Sequence, residues 1–198
     1  MQILVDEKLK RKQSFQHNNT QAGWKDSSAG VGYANGQLAD EDFHQTLVYH
    51  RPLWRYIINH YFNEHTTPIT VIGYDAIALA IELSQWGYPI TYIAQDFKGV
   101  KKAQKDCEIQ AGEFRSFLYF DATANIPANR LMVCVDLLDT LDDHYLYTYL
   151  DLCLRRSREI LCCVDTHKDW SRLLSGKYTY TLSEYPQGDR YLLSIKAL

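Results

Sequence analysis

From Pro68 onward the chain alternates short apolar runs with stretches of helical period. The runs are ITVI (69–72), ITYIA (90–94), FLYF (117–120), LMVCV (131–135) and ILCCV (160–164). Four of the five are continuous rather than alternating, the pattern of a parallel strand covered on both faces. Between them lie helical candidates at 75–86, 97–109 and 142–157. The last carries Leu146, Tyr149, Leu150, Cys153 and Leu154 on one stripe, with Arg155, Arg156 and Arg158 near its end, where the helix dipole favours cations. The segments YTYTLSEY (178–185) and DRYLLSIKAL (189–198) flank Pro186-Gln187-Gly188 and predict a closing β-hairpin. The predicted fold class is α/β, a doubly wound, mostly parallel sheet of about seven strands with a C-terminal antiparallel hairpin and an N-terminal helical or irregular extension.

Upstream the pattern changes. Trp54, Ile57, Ile58 and Tyr61 follow the i, i+3, i+4, i+7 spacing of an amphipathic helix within 40–64; Asp40 is placed to cap an earlier stretch, and Pro52 divides or kinks the segment. Residues 13–37 are rich in Asn, Gln, Ser and Gly, with isolated aromatics at Phe15, Trp24 and Tyr33, and show no sustained period. They read as a loop or arm, either folded over the sheet as an aromatic lid or disordered. The expected organisation is an arm with helices over 1–65 and a Rossmann-like domain over 66–198.

A net charge of -3 and a pI near 6.1 provide no basic field, so nucleic acid is not favoured as a partner. No apolar run reaches the roughly 18 residues of a membrane span, and the N-terminus is too short in apolar residues for a signal peptide, so a cytoplasmic protein is expected. The five cysteines lack metal-ligand spacing and behave as small buried hydrophobes; no metal is expected.

Ligands of an open α/β sheet bind beyond the carboxyl ends of its strands. The strand ends here are Gly73, the Ala94–Asp96 stretch, Asp121, Asp136 and Asp165. Single acids at such positions cap helices, but together they line a crevice that suits hydroxyls, amines or a cation and opposes bare phosphates. The loop after the first run keeps the first glycine of a dinucleotide fingerprint, Gly73, but puts Asp75 where the second glycine lets backbone approach a pyrophosphate. NAD is thereby disfavoured.

These residues resemble the class I S-adenosylmethionine-dependent methyltransferases. The similarity covers about 130 residues, 69–198: IGYDAIALAIELSQWGYPITYI matches that family's glycine loop, first helix and second strand, FDATANIP (120–127) its third strand end, and LMVCVDLLDTLDD (131–143) its fourth-strand motif. The resemblance implies S-adenosylmethionine as cofactor, held by Gly73, Tyr74, Asp75, Ala94, Gln95, Asp96, Asp121, Ala122 and Asp136. Asp121 would contact the adenine amino group, Ala122 would follow the adenine edge, and Asp136 would lie near the methionine end and the substrate. Departures from the pattern are Val71 before the loop, Asp75 and Ile77 at its second and third glycines, and Ala94 where an acid grips the ribose.

The implied activity is methyl transfer to a small-molecule or protein acceptor, by orientation rather than by a catalytic triad. The alternative is a methyltransferase-like binding or partner subunit without catalysis. An oligomer is compatible with either. His144 and His167, after the fourth and fifth strands, are candidate general bases or solvated side chains. Lys98, Lys101, Lys102 and Lys105 form a stripe expected to be a solvated helix face.

Overall fold

A computed structural model describes residues 48–64, 66–73, 76–94, 97–109, 112–119, 128–185 and 190–197. The elements, in chain order, are α1 (Arg51–Tyr61), β1 (Ile69–Ile72), α2 (Ile77–Gln85), β2 (Ile90–Ala94), α3 (Phe97–Ile109), β3 (Phe114–Tyr119), β4 (Leu131–Val135), a 3-10 turn (Leu138–Thr140), α4 (Asp143–Leu154), β5 (Glu159–Asp165), α5 (Trp170–Leu174), β6 (Tyr178–Glu184) and β7 (Arg190–Ala197). The strands form one sheet in the order β3-β2-β1-β4-β5-β7-β6. Its first five strands are parallel and β7 runs antiparallel to both β5 and β6. The order reverses between β1 and β4, which makes their carboxyl ends the topological switch point.

The continuous apolar runs follow from burial on both faces. Val71, Leu131, Val133, Val135, Leu161 and Cys163 enter one core, beneath α1, α2 and α3. Their neighbours Ile72, Met132, Cys134, Ile160, Cys162 and Val164 enter the other, beneath α4 and α5. All five cysteines are buried free thiols.

Pro52 acts as a helix starter. Residues 48–49 are helical, His50 interrupts, and α1 begins at Arg51 with Pro52 in its first turn, where a missing N–H removes no helical hydrogen bond. Leu53, Ile57, Ile58 and Tyr61 sink into the first core. The helix is also tied polar to polar: the Tyr56 and Tyr61 hydroxyls donate to the two oxygens of Glu159 at 2.7 and 2.5 Å, and Ser194 donates to Oε1 at 2.6 Å. Burial raises the pKa of Glu159, but these hydrogen bonds and Lys196 at 3.6 Å outweigh it and leave the carboxyl below its ordinary value.

Several element bounds differ from expectation, α2 among them at Ile77–Gln85 rather than 75–86. β3 begins at Phe114 rather than 117, β5 runs a residue further at each end, and α4 stops at Leu154 rather than 157. There Ser157 turns back, its amide and hydroxyl both donating to the Cys153 carbonyl.

Candidate functional site

The crevice starts from Gly73, directly after β1. Its φ of +143° is one that side-chain-bearing residues rarely adopt, and a Cβ there would stand 2.5 Å from the Val135 carbonyl oxygen. Only glycine lets the chain leave β1 this close to the end of β4. The Gly73 carbonyl is fixed by the buried Tyr92 hydroxyl at 2.6 Å, and its amide donates to Ile93 at 3.4 Å. Three neighbouring strands thus hold one loop start.

Asp136, directly after β4, has φ +51°, the left-handed region in which aspartate is better tolerated than most residues. Its Oδ1 accepts from Nη1 of Arg190, and the same nitrogen lies 3.7 Å from the Cys163 sulfur. Arg190 opens β7, which pairs it with Asp165 across β5. Because β7 is antiparallel, its beginning lies at the carboxyl ends of the parallel strands. The guanidinium lies over the Tyr49 ring, 5.0 Å from its centroid, and the Tyr185 hydroxyl donates to the Tyr49 carbonyl at 2.9 Å. Partial burial works against the charge of Arg190, but Cys163 and the Asp136 carboxylate outweigh it and hold the guanidinium protonated more firmly than usual. Nearby, burial pushes up the pKa of Asp139, against a hydrogen bond from the Asp165 amide at 2.9 Å.

Of the residues expected from sequence, Gly73, Ala94 and Asp136 stand at the ends of β1, β2 and β4, and Gly73 and Asp136 flank the switch point. Ala94 is buried and ends β2 as expected. Tyr74, Asp75, Gln95, Asp96, Asp121 and Ala122 lie outside the described residues. His144 and His167 are exposed; the latter's Nε2 is 3.8 Å from Asp165. The four lysines of α3 are exposed. Sequence reasoning missed Arg190, Tyr185 and Tyr49. The signal for the first two was the predicted hairpin: an antiparallel return from the sheet edge brings its turn, and the residues flanking it, to the crevice end.

Among solved structures, the chain is similar to magnesium protoporphyrin IX methyltransferase from Synechocystis PCC 6803 with bound S-adenosylmethionine, at 14% identity and a TM-score of 0.63, covering 94% of this chain and 97% of that one. The same enzyme with bound S-adenosylhomocysteine gives a TM-score of 0.60 at 13% identity, covering 94% and 100%. The methyltransferase domain of a bacterial Hen1 protein gives 0.55 at 9%, covering 79% and 100%. The chain has the class I methyltransferase fold. No family model matches it, and no curated protein matches it by sequence. Gly73 carries no side chain at the switch point, and the space its Cβ would take is filled by Val135. Asp136 has its side chain 39% exposed, and among the described residues its Oδ2 has no hydrogen bond, leaving one carboxylate oxygen to accept from an ammonium or lie beside a sulfonium. No helix among the described residues is long and apolar enough to cross a membrane.

Proposed function

We propose that the chain is an S-adenosylmethionine-dependent methyltransferase with a small-molecule or protein acceptor. The observation that carries this reading is the pairing of Gly73 and Asp136 across the switch point of a 3-2-1-4-5-7-6 sheet. When bound, the cofactor would supply an electrophilic methyl on a sulfonium, the S–C bonding pair staying on sulfur as a lone pair of the acceptor takes the methyl. Gly73 would let β1 and β4 close up beside the cofactor, and Asp136 would hold the amino-acid end through Oδ2. Asp121 and Ala122 would border the adenine, and Tyr74, Asp75, Gln95 and Asp96 would complete the loops beside it. Orientation of an acceptor in line with the methyl is then the chief contribution of the chain, and no triad is required.

Calorimetry with S-adenosylmethionine and S-adenosylhomocysteine tests the reading: binding is expected, and no heat at about 1 mM ligand, where a Kd tighter than millimolar would register, would overturn it. Asp121→Ala is expected to weaken adenosyl binding by about 1 to 3 kcal/mol through a lost hydrogen bond. One observation favours the second reading, a binding subunit that transfers nothing. Ala94 ends β2 as a buried alanine, with no carboxylate to grip ribose hydroxyls at that position. Adenosyl ligand retained in the purified protein, seen by mass spectrometry, would count against that alternative.

A further inference from the structure

We infer that Arg190 is a carboxylate-binding residue on the acceptor side of the crevice, so that the acceptor class is a molecule bearing a carboxylate. The inference deepens the methyltransferase reading and, for the word acceptor, rests on it. The structural basis is how Arg190 spends its donors. A guanidinium has five N–H donors in a rigid fork, and its Nε–Nη2 edge matches the two oxygens of a carboxylate. Asp136 and Cys163 both engage Nη1, and the Tyr49 ring covers one face. Among the described residues, Nε and Nη2 have no hydrogen bond, while the side chain is 24% exposed. The group is therefore held at Nη1 and over one face, with no hydrogen bond among the described residues on the edge that binds carboxylates bidentately.

A surface arginine pays rotamer entropy each time it orders around an anion, whereas this one is already ordered. Asp136 and Tyr49 act as positioning residues: the first anchors one nitrogen and the second sets the plane. The left-handed backbone of Asp136 aims its carboxylate toward β7, consistent with strain kept at a working site. Arg190 belongs to β7, three strands from β1, about 14 Å at sheet spacing, and its side chain reaches back only as far as Asp136. It lies on the far side of Asp136 from Gly73, where an acceptor rather than the adenosyl group would be.

The cofactor's own amino-acid carboxylate has the same chemistry, so the test separates the two sources. The probe is benzoate, titrated into the 15N-labelled full chain with S-adenosylhomocysteine present, following the Arg190 Nε–Hε resonance; benzyl alcohol is the neutral control. Benzoate is expected to shift that resonance saturably while benzyl alcohol does not. Arg190→Gln should weaken benzoate binding about tenfold or more, and Arg190→Lys should also weaken it, because a point charge cannot reproduce the fork. Arg190→Lys also serves as the second variant should Arg190→Gln fail to fold.

No shift up to about 50 mM benzoate, a concentration at which even very weak sites fill, overturns the proposal, as does equal benzoate affinity in the native chain and both variants. A variant that loses affinity for S-adenosylhomocysteine but not for methylthioadenosine, with benzoate unaffected, assigns Arg190 to the cofactor and overturns it too. If benzoate binds and S-adenosylhomocysteine does not, the carboxylate site stands and the methyltransferase reading falls.

Discussion

At the scale of single residues, Gly73 and Asp136 carry the unusual backbone angles that shape the crevice, and they differ in what they tolerate. Gly73→Ala must change both φ and the approach to Val135, because its Cβ would lie 2.5 Å from a backbone oxygen that cannot swing aside. A loss of about 3 kcal/mol or more is expected in denaturant unfolding. At Asp136 the comparison to make is between Asn and Ala. Both remove the ion pair with Arg190, but Asn keeps a side chain suited to left-handed angles, so Asp136→Asn should be the more stable by about 1 kcal/mol in the same measurement. Both positions were legible from sequence, since each follows a continuous apolar run. Arg190 was not, because its partner is 54 positions away and they meet only through the antiparallel return of β7.

Among the elements, α1 shows how much a period reveals. Of the stripe Trp54, Ile57, Ile58 and Tyr61, the last three are buried and Trp54 is half-buried, while Leu53 is buried without being part of that stripe; the tie to Glu159 is invisible in a pattern of apolar positions. Tyr61→Phe removes one donor from a buried carboxylate and should cost about 1 to 3 kcal/mol, read as a lower midpoint in urea. The pKa of Glu159 is depressed on folding, so its contribution is present above the ordinary carboxylate value and is lost as pH falls through the folded value. Glu159→Gln should therefore flatten the acid limb of the stability profile. The start of β3 was missed for a different reason. Arg115 and Ser116 interrupt its apolar pattern, which an edge strand tolerates because, among the described residues, one flank has no partner strand.

Over the whole molecule, two features add to the plain picture drawn by the net charge and the apolar runs. Glu82 is buried in α2 at 3% exposure, and burial pushes its pKa up to about 8 against a contact with Trp86. Its proton stays on in the folded chain and leaves the unfolded one near 4.5, so stability should fall as pH rises from about 4.5 to about 8, by up to about 1.4 kcal/mol per unit. Urea unfolding of Glu82→Gln across that range should show the slope reduced. The second feature is that the core extends upstream of the sheet. Leu53, Ile57, Ile58 and Tyr61 together contribute burial of the order of 10 kcal/mol, comparable to the whole stability of a domain. A fragment beginning at residue 66 is expected to show no cooperative transition by circular dichroism, whereas the full chain does.

The hydrogen bond from Tyr185 to the Tyr49 carbonyl joins residues 136 positions apart. Contacts so distant in sequence close large loops and form late, after local helices and neighbouring parallel strands have gathered. The wall around Arg190 is thus expected to assemble near the end of folding, and a fluorescence change on benzoate binding, followed during refolding, would time that last closure separately from the gain of helix. By the same route, a carboxylate held at Arg190 would bind the completed chain alone and add its affinity to the stability of the finished fold.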